Sequence, residues 1–100
     1  MKMVDVTVVR IYMVEGDETL TTVLNYLRKE IKICGLSIFR AISGCGETGT
    51  HTASLLDLSF SLPLIVEFFD SPEKISTVLE HLATIVKPEH MLFFPAKVNG

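Results

Sequence analysis

Over Val4–Met13, VDVTVVRIYM, apolar side chains fall on both phases of a two-residue repeat, Val4, Val6 and Val8 on one and Val9, Ile11 and Met13 on the other. A β-branched run of this kind predicts a strand, because successive side chains of extended backbone point to opposite faces. After the turn VEGD the period changes. Leu20, Val23, Leu24, Leu27 and Ile31 share one stripe of an α-helix, with Asp17 placed to cap its start and Gly35 to stop its end. Leu36–Ile42 and Leu64–Phe69 read as the second and third strands. Ser71-Pro72-Glu73 then supplies an N-cap, a proline where no N–H is needed and an early acid, ahead of a second stripe at Ile75, Val78, Leu79, Leu82 and Val86. KPEH ends that helix, and Met91–Val98 is the fourth strand, with Pro95 marking an edge or a bulge.

The order βαββαβ predicts an α+β, ferredoxin-like sandwich, an antiparallel four-stranded sheet with two helices on one face. A chain of 100 residues makes one domain, 1–100, with one modest core. Two helices cover only one face of the sheet. Yet Leu64, Val66 and Phe68 on one side are matched by Ile65 and Phe69 on the other. A wet face of an antiparallel sheet alternates cleanly with polar residues, and a monomer seldom exposes a large apolar patch, so the pattern predicts self-association, with a closed symmetric oligomer as the default.

Composition narrows the partners. At 48% hydrophobic and 21% charged residues the chain belongs with folded proteins. Its formal charge is −3 and its nine Lys and Arg are scattered, which leaves no basic face for nucleic acid. No apolar run reaches the roughly 18 residues of a membrane span, and Met1–Arg10 does not build a signal-peptide core, so the expected location is cytoplasmic, without membrane insertion. Cys34 and Cys45 read as reduced thiols, Cys34 as a small core residue.

One segment carries candidate chemistry. In ISGCGETGTHTASLLDLS, Gly44, Gly46 and Gly49 have the G-x-G-x-x-G spacing of a dinucleotide fingerprint, and Asp70 follows where a ribose-binding acid belongs. The helix that such a fingerprint must open would be Thr50–Leu58, which has no apolar stripe, and the chain has no room for the remaining strands, so that reading is rejected. What is left is a long loop from Ser43 to Ser61 between two neighbouring strands. Its glycines let backbone N–H groups turn towards an anion, and Thr48, Thr50 and His51 add donors. The plain alternative is a mobile surface loop whose glycines serve turns. Arg40 stands at its root, either to hold a phosphate at two points or to pair with Glu67 on the neighbouring strand. The candidate anion site is therefore Arg40, Gly44, Gly46, Gly49, Thr50 and His51.

Other chemistries find less. Cys45 and His51 lack a third, orienting group for nucleophilic catalysis, and Glu67 and Asp70 lie on opposite faces of one strand, so no catalytic residue is assigned and no enzyme is expected. His51, Cys45, His81 and His90 show no zinc spacing, and no metal site is assigned. His81 and His90 read as helix-surface and turn residues.

The ordered set RIYMVEGD, GLSIFRAISGCG, a His and then LLDLSFSLPLIVEFFDSPEKI resembles the PII-like bacterial proteins known as domain of unknown function 190. The resemblance runs over nearly the whole chain through Arg40, Gly44, Gly46, His51, Leu58-Ser59, Leu62-Pro63, Glu67 and Asp70. It implies a homotrimer with sheets facing inward and ligand sites in clefts between subunits. It implies an adenine nucleotide (ATP, ADP or AMP) as effector, with no cofactor otherwise assigned, and a loop that switches to control an unidentified target protein. Two positions depart from the family pattern, Ala41 where a Gly is common and Cys45 where an aromatic is. VKPEHM, with Lys87, replaces the glycine- and lysine-containing phosphate turn of PII proteins. The alternative is a trimeric divalent-metal-binding protein of the CutA type.

Overall fold

β1 (Met3–Val14), the longest strand, is the spine of the sheet in the computed structural model. It lies between β5 (Pro63–Asp70) and β6 (Met91–Asn99), antiparallel to both, and β2 (Gly35–Arg40) adds outside β5, giving the order β2-β5-β1-β6. The connections α1 (Glu18–Asn25) and α2 (Pro72–Leu82) complete the expected ferredoxin-like sandwich. Residues 2–33, 35–46, 49–52 and 63–100 are described, with 43–46 and 49–52 described by their backbone. The expectations for Cys34, Thr48 and residues 53–62 lie outside them.

The period-two pattern becomes the core. Register sets Val9 beside Phe68, Ile11 beside Val66 and Met13 beside Leu64, and all six are buried. Val23 and Leu27 from the first helical segment and Ile75, Val78 and Leu82 from α2 close over them, joined by Val86 from the turn beyond α2. Local chemistry starts both helices as expected. The Thr19 N–H donates to Asp17 Oδ1 at 2.9 Å, and the Lys74 N–H donates to Ser71 Oγ at 3.3 Å, with Pro72 opening α2. Pro95 sits in β6, an edge strand, where its missing N–H interrupts no ladder on the outer side.

The first helix departs from expectation. It does not run as a single α-helix to Ile31, because Tyr26–Glu30 widens into a π-turn in which the Ile31 N–H donates to the Tyr26 carbonyl, five residues back, at 2.9 Å. Nor does Gly35 stop it. The left-handed exit is taken by Lys32, at φ 54°, and Gly35 is already the first residue of β2.

Gly35 is required for another reason. It stands opposite Phe69 in the ladder, and a Cβ added there would lie 2.5 Å from Phe69 Cε2, so the ring rests directly on bare backbone. Gly35→Ala should therefore lower stability by about 1–3 kcal/mol through overpacking, measured by urea unfolding. In a Phe69→Leu background the same substitution should cost clearly less; equal costs in both backgrounds would show that the ring is not the obstacle.

Candidate functional site

The sheet face opposite the helices is rich in apolar and aromatic residues. Val8 lies between Phe69 and Phe94, and Tyr12 lies beside Ile65, which in turn faces Phe39. Tyr12, Phe39 and Leu92 are about half exposed, at 45%, 51% and 46%. In the middle of this face Arg10 stands between Glu67 and Leu92. Its Nε donates to Glu67 Oε1 at 2.7 Å, and its guanidinium carbon lies 5.2 Å from the centre of the Phe94 ring. The hydrogen bond to Glu67 holds the Arg10 pKa above its ordinary value against a smaller opposing effect of desolvation.

Arg40 does not pair with Glu67. It sits opposite Leu64, and strand alternation therefore puts it on the helix side of the sheet, whereas Glu67, opposite Ser37, lies on the other. The partner of Arg40 is Glu15, in the turn that leaves β1, which accepts from Arg40 Nη2. That turn is made possible by Gly16, at φ 90°. β2 stops at Arg40, two residues earlier than the strand expected to Ile42: the Ala41 N–H still donates to the Pro63 carbonyl at 2.9 Å, but Ile42 is 81% exposed.

The long loop expected from Ser43 to Ser61 begins as a ladder instead. β3 (Ser43–Gly46) and β4 (Gly49–Thr52) form a separate two-stranded antiparallel sheet in which Gly44 faces His51, Cys45 faces Thr50 and Gly46 faces Gly49. Pairing satisfies backbone groups that an open loop leaves to water, and β-branched Thr50 and Thr52 favour the extended conformation. Backbone geometry thus brings Gly44, Gly46, Gly49, Thr50 and His51 into one hairpin, and Arg40 stands two residues before it. The side chains of Cys45, Thr50 and His51 lie outside the described residues.

The remaining candidates have structural partners. His81 stacks on Tyr26, with ring centroids 4.1 Å apart and planes 28° from parallel, which ties α2 to the π-turn. Partial burial, with a smaller contribution from Glu30, raises the Tyr26 pKa. Asp70 accepts from the Ser71 N–H at 2.8 Å and pairs with Lys74 at 3.2 Å, a helix-start role rather than a ribose-binding one. His90 belongs to the short 3-10 turn Pro88–His90. Among the described residues no three His, Cys, Asp or Glu side chains converge on a point where a metal ion could sit. No helix among them is long and apolar enough to cross a membrane.

Glu15, and the pairing of Glu67 with Arg10, are not among the contacts expected from the sequence. The sequence signal for the pair is that Arg10, in VVRIYM, and Glu67, in LIVEFF, are opposite charges within apolar stretches.

The chain matches the family DUF190, described as Uncharacterized ACR, over residues 2–98. A UPF0166 protein of Methanocaldococcus jannaschii is 30% identical over 90 residues, which is 85% of this chain and 82% of the relative. Among solved structures, CPII of Thiomonas intermedia, a nitrogen regulatory PII-like protein bound to ADP, AMP and bicarbonate, superposes with a TM-score of 0.74 at 16% identity, covering 99% of this chain and 92% of the other. CutA1 of Ehrlichia chaffeensis, a divalent ion tolerance protein, gives 0.58 at 10% identity over 95% of this chain and 82% of its own. At such identities both likenesses concern the fold.

Proposed function

The chain belongs to the DUF190 family, and on that premise we propose that it is a non-catalytic, PII-like cytoplasmic regulator. An adenine nucleotide or a similar anion binds in the clefts of a homotrimer at Arg40 and the hairpin of Gly44, Gly46, Gly49, Thr50 and His51. The state of the segment 43–61 then controls a target protein.

The observation that carries this reading is the place of Arg40. Its side chain is 59% exposed at the very end of β2, held by one carboxylate and joined by two residues to a glycine-rich ladder. An exposed Arg–Glu pair is weak, about 0.2–1 kcal/mol, whereas a phosphate offers the guanidinium two parallel charge-assisted bonds. Exchange of Glu15 for phosphate is therefore favourable at the root of the hairpin. An isolated two-stranded ladder is marginal by itself, so a ligand that prefers one of its states shifts the whole segment. The metal-binding alternative has the same fold behind it, but no ligand cluster among the described residues favours it.

Calorimetric titration with ATP, ADP and AMP, paired with limited proteolysis of the segment 43–61, tests the reading. At least one nucleotide should bind and change the cleavage. Arg40→Gln should weaken that binding roughly 10- to 100-fold, the scale of a lost hydrogen bond to a charged group, while leaving the thermal midpoint nearly unmoved. Absence of binding by all three at millimolar concentration, with cleavage unchanged, ends it.

A further inference from the structure

The pair Arg10–Glu67 occupies the centre of the helix-free face, ringed by Val8, Tyr12, Phe39, Ile65, Phe69 and Phe94. As a stabiliser of one chain it is modest, since the two side chains keep 42% and 27% of their exposure. Its setting changes once the face is covered by further copies, as the homotrimer proposed above requires, and this inference rests on that part of the reading.

A purely apolar, aromatic-rich face can slide. Several offsets, and several numbers of copies, bury similar area at similar gain, because the hydrophobic effect has no direction. A charged pair at the centre removes that degeneracy. In a displaced packing the pair faces a neighbour's Phe or Val, which desolvates the terminal N–H groups of Arg10 and gives them no acceptor, and buried donors without acceptors are penalised. In the matched packing the pair meets its own equivalents. Arg10 spends its Nε on Glu67 and lies against Phe94, while a guanidinium carries four further N–H donors on its two terminal nitrogens.

We propose that Arg10 and Glu67 are the register lock of the self-interface: each guanidinium keeps the carboxylate of its own chain and presents its terminal N–H groups to acceptors of the next copy, so that one number of copies and one offset is selected from the many that the apolar surface allows. The occupant of this face is a further copy of the chain, to which the pair offers positive beside negative on one patch, so that in a closed ring each copy can give one charge to the next.

Sedimentation velocity on the full chain, with circular dichroism to confirm folding, tests the lock. Wild type should sediment as one assembled species. Glu67→Leu, which strands Arg10, should weaken assembly at least about a hundredfold. The double variant Arg10→Met/Glu67→Leu should still assemble, but as a mixture of species. The charge swap Arg10→Glu/Glu67→Arg should restore a single species. A folded double variant that sediments as the wild-type species alone overturns the lock and leaves the homotrimer standing, whereas a monomeric wild type overturns both. Should the double variant fail to fold, the swap decides: a single assembled species supports the lock, and a mixture or a monomer overturns it.

Discussion

Phe68→Ala should lower the unfolding free energy by about 3–5 kcal/mol, the range for truncating a buried aromatic residue. Phe68 is fully buried in the middle of β5, beside Val9 of β1 on one side and Leu36 of β2 on the other. Both helical segments contribute to the cluster around it, through Val23, Leu27, Ile75, Val78 and Leu82. Its removal leaves a cavity where three strands and two helices meet, and none of these can relax without disturbing another. A domain of this size has only about 5–15 kcal/mol in total, so the loss is a large share of what holds the fold. In urea the midpoint should fall with little change in slope, and Phe68→Leu should recover part of it. A midpoint equal to that of wild type would mean that the helices do not close on this face.

Ile65→Lys should act on the other face and on a different quantity. Ile65 lies between Tyr12 and Phe39 and is only partly buried within one chain. A lysine there can lay its stem along the sheet and hold its ammonium in water, so a lone chain should keep its fold and most of its stability. In a homotrimer every copy would carry an ammonium into the contact without a counter-charge, at several kcal/mol each. The expected result is a folded species of single-chain mass by sedimentation equilibrium at micromolar concentration. Retention of the wild-type mass would show that this face is not where copies meet.

The features legible in the sequence are those whose cause is local. Asp17 and the Ser71-Pro72 pair announce helix starts because the capping oxygen and the missing N–H act within three residues. The alternation in β1 announces both faces of the sheet for the same reason. The π-turn is not legible, since Leu27 and Ile31 fall on the stripe whether or not the hydrogen bonds lengthen by one residue, and nothing in YLRKE distinguishes the two. Partnership across the sheet is less legible still. Assigning Glu67 to Arg40 required only adjacency of β2 and β5, whereas the true assignment depends on register. Arg40 faces Leu64, and Glu67 faces Arg10 from the opposite side of the same strand. The ladder of β3 and β4 is not legible, because SGCG and GTHT carry no hydrophobic period and backbone pairing is open to any residue but proline.

The central place of β1 also bears on how the chain reaches this structure. β1 is flanked by β5 and β6, with Met3 opposite Asn99 and Thr7 opposite Asp70. Neither of its edges is closed by a segment near it in sequence, since both partner strands lie in the far half of the fold. Contacts of such long sequence separation put folding towards the slow side for a domain of this size. Through that interval β1 presents two unpaired edges and apolar side chains on both faces, the condition under which nascent chains aggregate. The arrangement that gives β1 a partner on both edges of the finished sheet leaves it with none while those distant contacts are unmade.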